Sequence, residues 1–118
     1  MLTKNFYTLL LVLVVSSGLA QTFTSQHGRL RVKKHQLVDL DGNAIQLKGF
    51  CTHNLTFCPE CVTYEALKSN RDFWGANMIR ATVYTDDFWN DQSYNKNPGL
   101  NKAMVDSVVR WSGQLGIY

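Results

Sequence analysis

Leu30 and Val32 alternate with Arg29, Arg31 and Lys33, the period of two that marks a strand with one wet face. Lys34-His35 interrupts the alternation and Gln36 to Asp39 resumes it, which predicts a hairpin. A second reversal falls at Asp41-Gly42-Asn43, where the glycine supplies the positive φ of a tight turn. Ile45 to Cys51 is more continuously apolar and predicts a strand ending in Thr52-His53. From Tyr64 to Trp74 the period becomes helical, with Tyr64, Leu67, Arg71 and Trp74 on one face. Thr63 is placed to cap that helix, Glu65 sits in its first turn and Gly75 ends it. Met78 to Tyr84 shows no alternation, which predicts a strand covered on both faces. Thr85 to Gly99 is a polar, aromatic loop whose length is unusual unless it has a task. Leu100 to Leu115 carries Met104, Val108, Trp111 and Leu115 as a helical stripe, Gly116 caps it, and Ile117-Tyr118 opens another apolar strand. Upstream, residues 21–27 are polar and short and read as a flexible leader.

The resulting order is hairpin, β, α, β, α, β. Strands alternating with helices predict an α/β fold with a parallel sheet and right-handed crossovers. Two crossovers of one hand put both helices on the same side of a curling sheet, leaving its other face bare and its edges open. A barrel of this kind closes only at about eight strands. The expectation is an N-terminal hairpin plus the first βα units of an incomplete (β/α)8 TIM barrel, spanning residues 28–118 and continued by a longer chain.

The first twenty residues belong to no domain. Lys4 precedes an unbroken apolar run from Leu9 to Val15, and Gly18 and Ala20 put small residues at the −3 and −1 positions of a cleavage site after Ala20. This is a secretory signal peptide. A membrane anchor would need about 20 apolar residues, far more than this run supplies. The net charge of +3 over 118 residues is too weak to imply nucleic acid or an anionic membrane. Export makes disulfides permissible, and three cysteines (Cys51, Cys58 and Cys61) leave at least one over. Asn54-Leu55-Thr56 is an N-glycosylation sequon, usable where it is exposed.

Candidate chemistry clusters at the strand ends. Arg80 stands among Met78, Ile79, Ala81 and Val83, where an unpaired guanidinium is costly, and the nine acidic residues offer no obvious partner on a neighbouring strand. It is either one half of a structural ion pair or a cation that orients an acid supplied later. His53 and Tyr84 end their strands, the positions that line active sites in barrels, and both can hydrogen-bond sugar hydroxyls. Phe57, Phe88, Trp89 and Tyr94 lie in or near the same loops, as sugar-stacking platforms or as loop packing; packing is the better reading for Phe88 and Tyr94. Cys58-Pro59-Glu60-Cys61 admits a redox pair, or zinc shared with His53, but a local disulfide or pairing with Cys51 fits the secreted compartment better. Asp86 and Asp87 are neighbours on an extended chain and point apart, and Glu60 and Glu65 are poorly placed for acid or nucleophilic work.

Gly28-Arg-Leu-Arg-Val-Lys, Gln46-Leu-Lys-Gly-Phe-Cys-Thr-His53, Arg71-Asp-Phe-Trp-Gly-Ala-Asn-Met-Ile-Arg-Ala81, Tyr84-Thr85 and Leu115-Gly-Ile-Tyr118, in this order and spacing, resemble glycoside hydrolase family 5, especially its secreted endo-β-1,4-glucanases. The resemblance implies hydrolysis of β-1,4-glycosidic bonds with retention, by two glutamates about 5 Å apart. It implies that His53 and Tyr84 bind substrate, that Arg80 holds the nucleophilic carboxylate, and that Phe57 stands where a stacking tryptophan is common. Asn54 in place of a glycine, the cysteine-bearing loop and the long loop with Trp89 depart from the pattern. Both glutamates would lie after Tyr118, which leaves this stretch without catalytic residues of its own. The implied partner is a β-1,4-glucan, with no metal or organic cofactor and a monomeric whole protein. A β-mannanase of the same family and a short non-catalytic glycan-binding protein are the alternatives.

Overall fold

The structure is a computed structural model that describes residues 21–86 and 91–118. Residues 1–20, where a signal peptide is expected, and the loop residues Asp87, Phe88 and Trp89 lie outside the described residues.

The alternating segment folds as its period demands. β1 (Arg31–Lys33) and β2 (Gln36–Val38) pair antiparallel around Lys34-His35, with Arg31 opposite Val38 and Lys33 opposite Gln36. Gly42, at φ 90°, makes the second reversal, and Ala44 bridges back to Val38. β3 (Gly49–Cys51) and β4 (Met78–Arg80) are parallel, in the register Gly49–Met78, Phe50–Ile79 and Cys51–Arg80.

Both parallel strands are shorter than the apolar runs that predict them. Ile45 N–H donates to the Leu37 carbonyl at 2.9 Å and Lys48 N–H to Asn77 Oδ1 at 2.7 Å, so the start of that run is bonded to the hairpin and to a side chain. Past Arg80 the two chains stay together irregularly, through Thr52 N–H to Arg80 O at 3.1 Å and Leu55 N–H to Thr82 O at 3.0 Å. On the other edge of β4, Ile79 N–H donates to Tyr118 O at 2.7 Å and Tyr118 N–H to Asn77 O at 2.9 Å. Ile117-Tyr118 thus runs beside β4 as the third strand of the pattern.

α2 (Tyr64–Trp74) starts and stops on its predicted signals: Thr63 Oγ1 accepts from Ala66 N–H at 3.2 Å, and Gly75 closes the end at φ 66°. α3 (Pro98–Leu115) begins before the apolar stripe does. Asn97 Oδ1 accepts from Leu100 N–H at 3.1 Å with Pro98 in the first turn, a start signal independent of hydrophobic period. The two helices pack on one side of β3 and β4. Leu55, Val62, Leu67, Val108, Leu115 and Ile117 form the buried core, with Phe50, Ile79, Met104 and Trp111 against it. Arg71 joins the helices by donating from Nη1 to the Leu115 carbonyl at 3.1 Å.

Three expectations are corrected. β4 is covered on one face: Ile79 packs on the core, while Arg80 and its register partner Cys51 are exposed on the other. Trp74, the last residue of α2 before Gly75, does not join its buried face and is 83% exposed. Residues 21–27 are not a flexible leader, for they contain α1 (Phe23–His27). Thr22 Oγ1 accepts from Ser25 N–H at 3.2 Å, Thr24 N–H donates to Gly116 O at 3.0 Å, and Phe23 lies edge-on to Tyr118. The Tyr118 hydroxyl donates to the Gly28 carbonyl. A polar composition concealed these tertiary anchors.

α1 is also tied to the hairpin. His27 Nδ1 lies 3.1 Å from Asp39 Oδ2, and Asn43 N–H donates to Asp39 Oδ1 at 2.8 Å. Burial of Asp39 disfavours its charge, but the hydrogen bonds from His27 and Asn43 together outweigh that and hold its pKa below the usual value. A depressed carboxylate pKa contributes stability above the unfolded value, about 4, and loses it as pH falls through the folded one. Asp39→Asn is therefore expected to destabilise the intact protein most at neutral pH. The deficit against the wild type should shrink below pH ~4 in denaturant titrations, where the wild-type carboxyl also loses its charge.

Gly116 and Gly113 give a paired test. A Cβ on Gly116 would lie 2.1 Å from Thr22 Cβ, whereas one on Gly113 meets nothing within 4 Å. Gly116→Ala should lower stability by about 1–3 kcal/mol through overpacking and the left-handed backbone. Gly113→Ala should raise it by roughly 0.5–1 kcal/mol, being in an exposed helix interior. Thermal melts of both variants check this.

Candidate functional site

Parallel strands end on the same side, and that end carries the predicted residues. His53 follows β3 and Tyr84 follows β4. Their side chains meet: Tyr84 Oη lies 3.2 Å from His53 Nδ1, with the rings 5.3 Å apart and nearly perpendicular. Arg80 opens onto the same cleft, about 320 Å³, together with Cys51, Thr52 and Thr82. Arg80 makes no ion pair among the described residues, and its guanidinium end of the cleft faces solvent on the sheet's bare face. The cleft is lined by no carboxylate among the described residues. It is a polar notch of hydroxyls, an imidazole and a cation, suited to hydroxyl-rich ligands and to an anionic group.

Phe57 borders this notch. Its ring stands edge-on to His53, with centroids 5.5 Å apart, and it is 58% exposed. The loop that presents it turns tightly, with Phe57 N–H donating to Asn54 O at 3.0 Å. A disulfide joins Cys58 to Cys61 across the short 3-10 turn Pro59–Cys61, and Cys51 is the free thiol. That settles the open pairing in favour of the local bridge. It also removes the thiolates that zinc binding with His53 would need.

The sequon is turned inward in this structure. Asn54 is 3% exposed and Thr56 2%, and Thr56 Oγ1 donates to the Gln92 carbonyl at 2.9 Å. A glycan needs the asparagine amide in solvent, and here the loop turns both residues inward. Tyr94 is held by its backbone, its N–H donating to Tyr84 O at 2.9 Å, while the residue is 39% exposed and lines a cleft with Val83 and Asn101.

One positioning group escaped sequence reading. Asn101 is fully buried and donates from Nδ2 to the carbonyls of Gln92 and Asn97, both at 2.9 Å. With Thr56 on the same Gln92 carbonyl, it ties the long loop to the loop of Phe57 and to α3. The available signal was a polar residue one turn ahead of Met104 and Val108 on the apolar side of the helix.

Two strand–helix units with a sugar-sized polar notch at the strand ends define a (β/α)-barrel type of site. Residues 38–118 match the family described as cellulase, glycosyl hydrolase family 5. An endoglucanase from Clostridium saccharobutylicum is 39% identical over 95 residues, covering 80% of this chain and 20% of the relative. Endoglucanase 5 of Pectobacterium carotovorum is 32% identical over 118 residues, covering 99% of this chain and 22% of the relative. The catalytic domain of an endoglucanase from Thermobifida fusca superposes with a TM-score of 0.75 at 26% identity, covering 83% of this chain and 31% of that one. A second structure of that domain holds cellotetraose. The chain belongs to glycosyl hydrolase family 5, and it spans about a fifth of the length of these curated relatives. Its fold is the first part of that family's barrel, with no closed barrel among the described residues.

Asn101→Leu should cost about 1–3 kcal/mol, since it removes both hydrogen bonds that this fully buried amide donates, to Gln92 O and Asn97 O. Amide hydrogen exchange in residues 91–97 should rise in that variant while exchange in α2 stays near wild type.

Proposed function

We propose that the protein to which this chain contributes is a secreted endo-β-1,4-glucanase that cleaves with retention through two glutamates. The observation that carries this reading is the cleft where His53, Arg80 and Tyr84 converge with no carboxylate among the described residues, at the strand ends of a family 5 barrel segment. The relatives' endoglucanase names and the cellotetraose held by the Thermobifida fusca domain support a β-glucan substrate.

In this reading the notch receives sugars on the non-reducing side of the scissile bond. With the Tyr84 hydroxyl donating to His53 Nδ1, the imidazole Nε2–H is left to donate to a sugar hydroxyl. Phe57 offers a ring to an apolar sugar face; Trp89, the other stacking candidate of the sequence, lies outside the described residues. Arg80 supplies the fixed positive charge. A guanidinium within a few ångströms of a carboxylate favours its ionised, nucleophilic form. Its pairing with the nucleophile also keeps that carboxylate aimed at the anomeric carbon, a positioning contribution. The two glutamates come from elsewhere in the barrel, since Glu60 lies in the 3-10 turn and Glu65 in the first turn of α2, both outside the cleft. Export follows from the apolar run and cleavage pattern of residues 1–20.

Assays of the full-length protein on carboxymethyl-cellulose and on mannan test the reading. Higher kcat/KM on the cellulose derivative supports it, and the reverse preference replaces it with a β-mannanase. Arg80→Ala should cut kcat by at least ~100-fold, since an uncompensated catalytic charge costs several kcal/mol. Phe57→Ala should raise KM about 3–10-fold with kcat little changed, the mark of lost uniform binding. Unchanged kcat in the Arg80 variant would remove the cation from the mechanism.

A further inference from the structure

We infer that Gln21 is a modification site: once residues 1–20 are removed, its α-amine closes on its own side chain to form a terminal lactam. The inference rests on the export reading above, because it needs cleavage after Ala20.

Four observations place the reaction here. The small-residue pattern ending at Ala20 makes Gln21 the new first residue. Thr22 is held, with its hydroxyl capping α1 and its side chain packed where a Cβ on Gly116 would have to go. Gln21 itself is exposed, so its side chain keeps the rotamer freedom that ring closure requires. Finally, Gln21 borders a cavity of about 640 Å³ at the end of the sheet opposite the strand-end notch.

That cavity is electrostatically one-sided. Lys48 and Arg71 line it, and no carboxylate does among the described residues. Arg71 is partly compensated by Asp72, to which its Nε donates at 2.7 Å, whereas Lys48 has no ion pair among the described residues. A free terminal ammonium would add a further positive charge to this wall. Neighbouring like charge favours the neutral amine, whose ordinary pKa is about 8. The neutral amine is the nucleophile. Its nitrogen attacks Cδ of the side-chain amide, the N–Cδ bond forms and the Cδ–Nε2 bond breaks. The amine proton leaves with the side-chain nitrogen as ammonia. No oxidant or other reactant enters, and the uncharged lactam relieves the repulsion that speeds its formation.

The test uses the chain secreted by a host that processes residues 1–20, analysed by intact mass and stepwise terminal sequencing under denaturing conditions. The expected product starts at residue 21, is one ammonia lighter than the open form, and cannot be sequenced until pyroglutamyl aminopeptidase exposes Thr22. Gln21→Ala should sequence directly from residue 21. Lys48→Glu should slow closure severalfold in freshly cleaved folded protein, reporting the cavity's charge and not merely the terminal glutamine. A wild-type terminus that stays open at neutral pH overturns the inference while leaving export intact. Equal closure rates in wild type and Lys48→Glu overturn the cavity's part in it. A chain that keeps residues 1–20, or starts elsewhere, sinks the export reading and the inference with it.

Discussion

The parallel pairing of β3 with β4 is the constraint on which the other features depend. Parallel strands require a crossover, and the right-handed crossover through α2 puts that helix on one face of the sheet. The next crossover through α3 obeys the same rule and lands beside it. Leu67 on α2, Val108 and Leu115 on α3, and Ile117 beyond it then share one core with Leu55. The register of Cys51 with Arg80 leaves both on the opposite, open face. One pairing therefore determines where the apolar residues go, where the cation points and which strand ends sit side by side.

That arrangement divides the segment into two ends with different chemistry. At the ends of the strands, His53, Tyr84, Arg80 and Phe57 come from two separate loops, and neither loop makes a site alone. Buried hydrogen bonds from Thr56 and Asn101 to one carbonyl, Gln92, lock the loops together. At the beginnings of the strands, α1, the hairpin and Tyr118 close over the sheet through His27–Asp39 and Thr24–Gly116 contacts. The first end carries the open polar notch. The second is packed for stability, apart from the basic cavity bordered by Gln21 and Lys48.

The open face is informative about the site as well as the fold. A strand with continuous apolar character but an exposed arginine is locally inconsistent in this segment. Such inconsistencies concentrate at functional positions, where a residue is selected for what it will meet. In the proposed function the partner of that guanidinium is a catalytic carboxylate, which would make a single cation the link between fold and chemistry.

The helices were legible because their signals are local: Thr63 and Gly75 around α2, Gly116 after α3, and an apolar stripe between them. The hairpin was legible for the same reason, its alternation broken by two turn sequences. The placing of His53 and Tyr84 at neighbouring strand ends was legible because it follows from the order of elements alone. Contacts between distant residues decided the rest. A polar stretch became α1 because Gly116 and Tyr118 hold it, and a sequon was buried because its threonine found the Gln92 carbonyl. The disulfide chose Cys61 over Cys51 because a strand carries Cys51 away to the open face. Periodicity records which side of an element is apolar; only the packed chain records what that side touches.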